Sequence, residues 1–386
     1  MGFLLMKRVL LLGASGSIGQ QTLDVISSDD RNFELVAFSV GEKVDLVSTI
    51  IRLHPSVKCV CIKHGEYIDI LKKQHPRISF FSGDEGLIKI VKRAKYDLVV
   101  NALVGFAGFP PTIAALKKKA TICLANKESL VVGGEIVNRL LKKGYGKIFP
   151  IDSEHVALAK CLSQAAQNHV SKLILTASGG AFRNHSKEQL SDVKAADALK
   201  HPTWQMGAKI TIDSATMMNK GFEIIEAHYL FNYEIDKIDI LMHDESHVHS
   251  LVKLDDGTLL ADISEPDMRV PITYALFGGQ TQFSCTRIKS LKQLDNFHFH
   301  DFDAAKYPCV ALAKEALRMG GTALAVLNAA NEVAVYAFLE NRIPFLSISE
   351  LIAKELNYVK VKRQTIRNVI EADRLTRLHL RKVLGN

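Results

Sequence analysis

One loop constrains this chain more than any other feature: Gly13-Ala14-Ser15-Gly16-Ser17-Ile18-Gly19, set directly behind the apolar run 9–12. The run reads as a buried strand, and the glycines permit a tight turn into a helix beginning near Ser17, where a pyrophosphate can come close to the helix N-terminal amides. The spacing is GxxGxxG and not the strict GxGxxG, so a plain tight turn fits the same letters. The strand-loop-helix context favours a nucleotide.

The next 130 residues point to an open α/β sheet. Short β-branched runs at 35–40, 57–62, 98–101, 121–124 and 147–151 alternate with amphipathic segments, the pattern of a parallel, doubly wound sheet. Beyond residue 151 the chain turns to glycine-rich and polar loops at 176–182 and 201–220. Strand-like runs at 247–254 and 258–263 flank Asp255-Asp256-Gly257, a hairpin signal, and suggest a sheet for dimer contact. After a polar connection at 297–303, residues 304 onward read as helices. The expected division is an N-terminal domain over 1–150, a central α/β domain over 151–300 and an α-helical domain over 301–386.

With 386 residues, 47% hydrophobic and 23% charged, the chain is a folded protein of more than one domain. Its formal charge of +8 is scattered, as in Lys117, Lys118 and Lys119 at a helix end, where cations complement the helix dipole. Small phosphorylated molecules are therefore the simplest anionic partners, ahead of nucleic acid. Six cysteines without a CxxC pair read as reduced thiols. The apolar start is broken by Lys7 and Arg8, and no apolar run reaches the ~18 residues of a spanning helix. A cytoplasmic location with no membrane partner is expected.

Three acids suggest a cation. Asp152 and Glu154 lie two apart in Ile151-Asp152-Ser153-Glu154-His155, on one side if the backbone is extended; the same letters also make a helix N-cap with an acidic first turn. A helix across 209–231 would bring Asn219, Lys220 and Glu223 to one face. An oxygen-only set suits Mg²⁺ or Mn²⁺ better than zinc. Ser178-Gly179-Gly180 could cradle phosphate or be an ordinary turn. Lys127 follows a strand at the carboxyl edge where α/β sheets bind ligands. Behind the second strand stand Gly41, Glu42 and Lys43: Lys43 suits a 2′-phosphate, whereas Glu42 opposes it. His155, His201, His247 and His249 read as structural groups or substrate hydrogen-bonders.

The ordered segments LANKESLV (124–131), IDSEH (151–155), TASGGAF (176–182), HPTWQMGAKITIDSATMMNKGFEIIEAH (201–228), SEPDMRVPI (264–272) and LNAANEVAVYAFL (327–339) closely resemble the 1-deoxy-D-xylulose 5-phosphate reductoisomerase family over essentially the whole chain. The resemblance implies a Rossmann-like NADPH domain, a catalytic domain that makes a homodimer, and a helical C-terminal domain. It implies that Ser15, Gly16, Ser17, Ile18, Gly41, Asn126, Glu128 and Gly207 hold NADPH, and that Asp152, Glu154 and Glu223 ligate Mg²⁺ or Mn²⁺. Lys127, Ser153, Glu154, Ser178, His201, Ser214, Asn219, Lys220 and Glu223 would contact a phosphorylated sugar, with Ser178, Ser214, Asn219 and Lys220 around its phosphate and Lys127, Glu154 and His201 closest to the chemistry. The segment 201–207, with Trp204, would close over substrate. Gly41-Glu42-Lys43 departs from the family's usual Gly-Lys-Asn. The rival readings are a homoserine- or semialdehyde-dehydrogenase-like oxidoreductase, and a non-catalytic NADP-binding sensor.

Overall fold

The computed structural model describes residues 6–165, 169–186, 188–199, 206–280 and 291–385. These fall into two compact units, and the chain passes between them more than once. The first takes the described residues of Met1–Ser129, Val137–Asp152 and Asp267–Cys285; the second takes those of Leu130–Ile136, Ser153–Pro266 and Thr286–Asn386.

In the first unit the order is β1 (Lys7–Leu12), α1 (Ser17–Ser28), β2 (Phe33–Ser39), α2 (Leu46–Leu53), β3 (Cys59–Ile62), α3 (Ile68–Gln74), β4 (Ser79–Ser82), α4 (Gly83–Arg93), β5 (Leu98–Asn101), α5 (Phe109–Lys117), β6 (Thr121–Leu124), the two ends of α6 (Glu128–Lys142), whose middle Leu130–Ile136 counts with the second unit, and β7 (Lys147–Pro150). Its sheet runs β4-β3-β2-β1-β5-β6-β7, parallel throughout the paired strands. Val9, Leu10, Leu11 and Leu12 are fully buried, at about 1.5–3 kcal/mol for each large apolar side chain removed from water. A strand covered on both faces needs such an unbroken apolar run. Strand order reverses between β1 and β5, which makes their carboxyl ends the ligand crevice of the sheet. The late helix α11 (Arg269–Leu276) returns to this unit, where Ile272, Ala275 and Leu276 join its core and Phe277 meets Phe33 edge-on at 5.0 Å.

The second unit holds α7 (Ser153–Gln164), β8 (Val170–Ala177), α8 (Ala195–Ala198), α9 (Ala208–Ala215), α10 (Met218–Phe231), β9 (Ile238–His243), β10 (Val248–Leu254), β11 (Leu259–Ile263), β12 (Phe299–Asp301), α12 (Pro308–Met319), α13 (Ala323–Leu339), α14 (Ser347–Tyr358) and α15 (Ile366–Val383). Its mixed sheet runs β11-β10-β8-β9-β12. The expected hairpin is β10–β11, antiparallel with Leu251 opposite Ala261. Two features differ from the sequence reading. The single helix over 209–231 is divided, because Met217 takes a left-handed φ of 59° between α9 and α10; and the polar connection carries a short strand, β12, antiparallel to β9.

Candidate active site

The glycine loop is held by its own backbone. Gly13 has φ +89°, and a Cβ there would lie 2.5 Å from the carbonyl oxygen of Ala102 behind β5, so no other residue fits the turn at the strand switch. A Cβ at Gly19 would strike the Gly13 oxygen at 2.1 Å, which sets how tightly α1 packs on the loop. The amide of Gly13 donates to Ser39 Oγ at 2.9 Å and the amide of Gly41 to Ser15 Oγ at 3.4 Å, so the ends of β1 and β2 are bonded together. Gly16 is the N-cap of α1 with no side chain capping it, which leaves the positive end of the helix to a ligand. Ser15, Gly16, Ser17, Ile18 and Gly41 thus share one edge of the first unit.

The same unit holds the three candidate residues of the 124–131 segment, Asn126, Lys127 and Glu128. Asn126 is 1% exposed; its Nδ2 donates to the Leu103 and Gly105 carbonyls at 2.9 Å each and to Glu128 Oε2 at 3.1 Å. This side chain braces the loop behind β5. Lys127, buried at the start of α6, pairs its ammonium with Asp152. Glu42, by contrast, is turned outward, its two oxygens bonded to Lys63 and His64, and those hydrogen bonds hold its carboxyl below the usual carboxylate range.

In the second unit the acidic first turn of α7 meets one face of α10. Glu154 and Glu223 bring carboxylate oxygens within 4.8 Å of one another. Lys220 lies among them, 2.9 Å from Glu154 Oε1 and in contact with Glu223 Oε2, while Asn219 Nδ2 donates to Glu223 Oε1 at 2.6 Å. Ser153 donates to Glu154. Burial alone would lower the pKa of Lys220, but Glu154 and Glu223 outweigh it and raise it. The donor set is oxygen-rich, partly buried and already organised around a positive charge, which fits Mg²⁺ or Mn²⁺.

The loop Ser178-Gly179-Gly180 turns back onto α9: a Cβ at Gly180, φ +66°, would lie 2.7 Å from the Ser214 backbone. Gly180 and Ser214 are therefore neighbours, and the turn at Met217 leads directly to Asn219 and Lys220. His249 is buried, which lowers its pKa, and bonds Ser264 Oγ at 3.0 Å; His247 stacks on Phe297 at 5.5 Å. Both act in packing. His201 and Trp204, with the closure expected of 201–207, lie outside the described residues apart from Met206 and Gly207, and Gly207 is the N-cap of α9.

Family models agree with this chemistry. The model described as 1-deoxy-D-xylulose 5-phosphate reductoisomerase matches residues 9–134, that of its C-terminal domain residues 148–231, and the DXP reductoisomerase C-terminal domain residues 263–379. A 1-deoxy-D-xylulose 5-phosphate reductoisomerase of Geobacillus sp. (strain WCH70) is 44% identical over 382 residues, 98% of this chain and 100% of its own. The chain belongs to the 1-deoxy-D-xylulose 5-phosphate reductoisomerase family. A family member from Bacillus thuringiensis subsp. konkukian (strain 97-27) is likewise 44% identical, over 96% of this chain and 98% of its own. A DOX-P reductoisomerase solved with NADPH, fosmidomycin and magnesium superposes with TM-score 0.92 at 35% identity, over 98% of each chain. The Zymomonas mobilis reductoisomerase solved with NADPH gives 0.89 at 34% identity, over 98% and 99%.

The homoserine- and semialdehyde-dehydrogenase alternatives are not favoured by these full-length likenesses. A semialdehyde dehydrogenase needs a thiolate nucleophile, and burial pushes Cys123 up to about 12 and Cys161 up to about 11. Glu226 is not singled out by the sequence motifs. This fully buried acid lies 3.5 Å from His155 Nδ1, while His155 Nε2 approaches the Glu223 carbonyl at 3.0 Å. The three-residue spacing of Glu223 and Glu226 was the available signal, since it puts both on one helix face. Among the described residues, no helix is long and apolar enough to cross a membrane.

Proposed function

We propose that this chain rearranges and reduces 1-deoxy-D-xylulose 5-phosphate to 2-C-methyl-D-erythritol 4-phosphate, using NADPH and a bound Mg²⁺ or Mn²⁺. The observation that carries the reading is the group Glu154–Lys220–Glu223, where carboxylates suited to a metal and an ammonium suited to a phosphate meet at one face of α10. Asp152, two residues before Glu154 in the chain, completes the oxygen ligands. When bound, the metal supplies Lewis acidity for a carbonyl and a neighbouring hydroxyl, and NADPH supplies hydride.

The chain's own residues do the positioning. Lys220, with Ser178, Ser214 and Asn219, anchors the substrate phosphate, so that the fragments remain aligned when the bond between C3 and C4 breaks and a new one forms. Lys127 steadies developing oxyanion charge, and His201 hydrogen-bonds substrate. Ser15, Gly16, Ser17, Ile18, Gly41, Lys43, Asn126, Glu128 and Gly207 hold the cofactor, with Glu42 beside them at the end of β2. Residues 1–150 are the cofactor domain, 151–300 the catalytic and dimerisation domain and 301–386 a helical domain, of a cytoplasmic homodimer. Purified protein with 1-deoxy-D-xylulose 5-phosphate, NADPH and Mn²⁺ tests this: NADPH oxidation with formation of the branched polyol phosphate, lost in EDTA, is expected. NADPH oxidation without that product, or full activity in EDTA, overturns it.

A further inference from the structure

A family motif that this chain alters lies at the carboxyl end of β2, where doubly wound sheets distinguish the adenosine ribose: an acid there accepts the 2′-hydroxyl, while a cation nearby accommodates a 2′-phosphate. Here Gly41 is tied to Ser15 of the glycine loop, and Glu42 stands next to it. Glu42 is not presented as a ribose acceptor. Its Oε1 takes a 2.5 Å bond from Lys63 Nζ and its Oε2 lies 2.8 Å from His64 Nε2. Lys63 and His64 directly follow β3, which pairs with β2 in parallel with Ser39 opposite Cys61, so register alone brings their turn beside Gly41-Glu42-Lys43. The three contacting side chains stay open to solvent, 66% exposed for Glu42, 57% for Lys63 and 44% for His64. An exposed ion pair of this kind is weak and opens readily.

We propose that Lys63 and His64, together with Lys43, form the seat of the cofactor's 2′-phosphate, and that Glu42 is the counterion that holds them in place until the phosphate displaces it. The inference rests on the nicotinamide reading and assigns its specificity to a strand end that the family motif does not include. A phosphate monoester carries close to two negative charges and three strong acceptor oxygens. It therefore bonds both donors at least as well as one carboxylate does, and exchange costs little. Neutralising Glu42 should help the phosphate by removing its competitor, whereas an acid that held ribose hydroxyls would be missed when neutralised.

The test is equilibrium binding by calorimetry, on the full chain, of 2′,5′-ADP and 5′-ADP, and of NADPH and NADH. Lys63→Ala should weaken 2′,5′-ADP and NADPH roughly tenfold, the value of one charge-assisted hydrogen bond, and leave 5′-ADP and NADH nearly unchanged. His64→Ala should do the same to a smaller degree. Glu42→Gln should strengthen 2′,5′-ADP. Equal weakening of both nucleotides by Lys63→Ala, or no weakening of either, overturns the proposal, as does a loss of 5′-ADP and NADH affinity in Glu42→Gln. If the unaltered protein binds no nicotinamide nucleotide, the parent reading fails first, and circular dichroism of the same samples separates either result from misfolding.

Discussion

Asn331, in the middle of α13, donates from Nδ2 to Asp213 Oδ1 on α9 at 2.8 Å, although 118 positions separate them in the chain. Asp213 is buried and also pairs with Lys209 at 2.7 Å one turn earlier, and Lys209 lies 5.0 Å over the ring of Phe222 on α10. A carboxylate inside a protein needs its charge and its lone pairs answered. Asn331 is thus what lets an acid stand immediately before Ser214, and through it α13 fixes the helix that carries a hydroxyl proposed to bind phosphate. Asn331→Ala is expected to lower the unfolding free energy in urea by about 1–3 kcal/mol, the cost of a buried acceptor left short of a donor. Lys209→Met should cost more, about 3–5 kcal/mol, because it leaves a buried charge uncompensated. Equal and negligible losses would mean that water replaces both partners.

Glu223 is 1% exposed and bonded to Lys220 and Asn219. Glu223→Gln keeps the shape and removes the charge that a divalent ion requires. Turnover should fall on the order of 100-fold or more, as when one preorganised electrostatic group is removed from an active site, while NADPH binding, for which Glu223 is not a proposed contact, stays within about twofold. Calorimetric titration with Mn²⁺ checks the cause directly: a variant that binds Mn²⁺ as tightly as the unaltered protein would remove Glu223 from the ligand set.

Lys220 separates the metal role from the phosphate role. Lys220→Ala should raise KM for the phosphorylated substrate by about tenfold or more, the value of a charge-assisted hydrogen bond. A substrate analogue without the phosphate should bind the variant and the unaltered protein with similar affinity. If both ligands lost equally, Lys220 would be holding Glu154 and Glu223 in place and not the phosphate.

Much of this fold and site is legible in the sequence, and the limits have physical reasons. The β1 run, the glycine loop and α1 are read correctly because a strand buried on both faces must be continuously apolar and the turn behind it must be glycine. β4 escapes a reading by pattern, since Ser79-Phe80-Phe81-Ser82 is four residues long and takes its stability from pairing with β3. The break between α9 and α10 escapes because methionine is an unexpected residue in the left-handed region, and only packing places Met217 there. Lys220 and Glu223 are legible as a helix face; their meeting with Glu154 is implied by the family resemblance and by no local pattern, because it depends on how α7 packs against α10 within the second unit. The Asn331–Asp213 bond is tertiary altogether, and nothing local in 327–339 points to it.

Acid stability at the strand switch rests on one ion pair. Arg8, at the start of β1, holds Asp97, the residue before β5: Nη2 meets Oδ1 at 2.8 Å, Nε meets Oδ2 at 3.0 Å, and the Arg8 amide adds a bond to Oδ2 at 2.9 Å. These hydrogen bonds, the side-chain ones foremost, lower the Asp97 pKa below its ordinary 3.8. A lowered folded-state pKa means that the stabilisation is fully present above 3.8 and is lost as pH falls through the lower folded value. Both side chains are about two-fifths exposed, so solvent screening limits the pair to a small contribution. Asp97→Asn should therefore be slightly less stable than the unaltered protein at pH 7 in paired urea titrations. The difference should hold down to about pH 4, shrink below it, and diminish at pH 7 when salt is raised to about 1 M, where the screening length is only about 3 Å. A difference that stayed constant from pH 7 to pH 3 would assign the effect of the substitution to packing or to the backbone bond alone, and the charge at Asp97 would then contribute nothing to the join between β1 and β5.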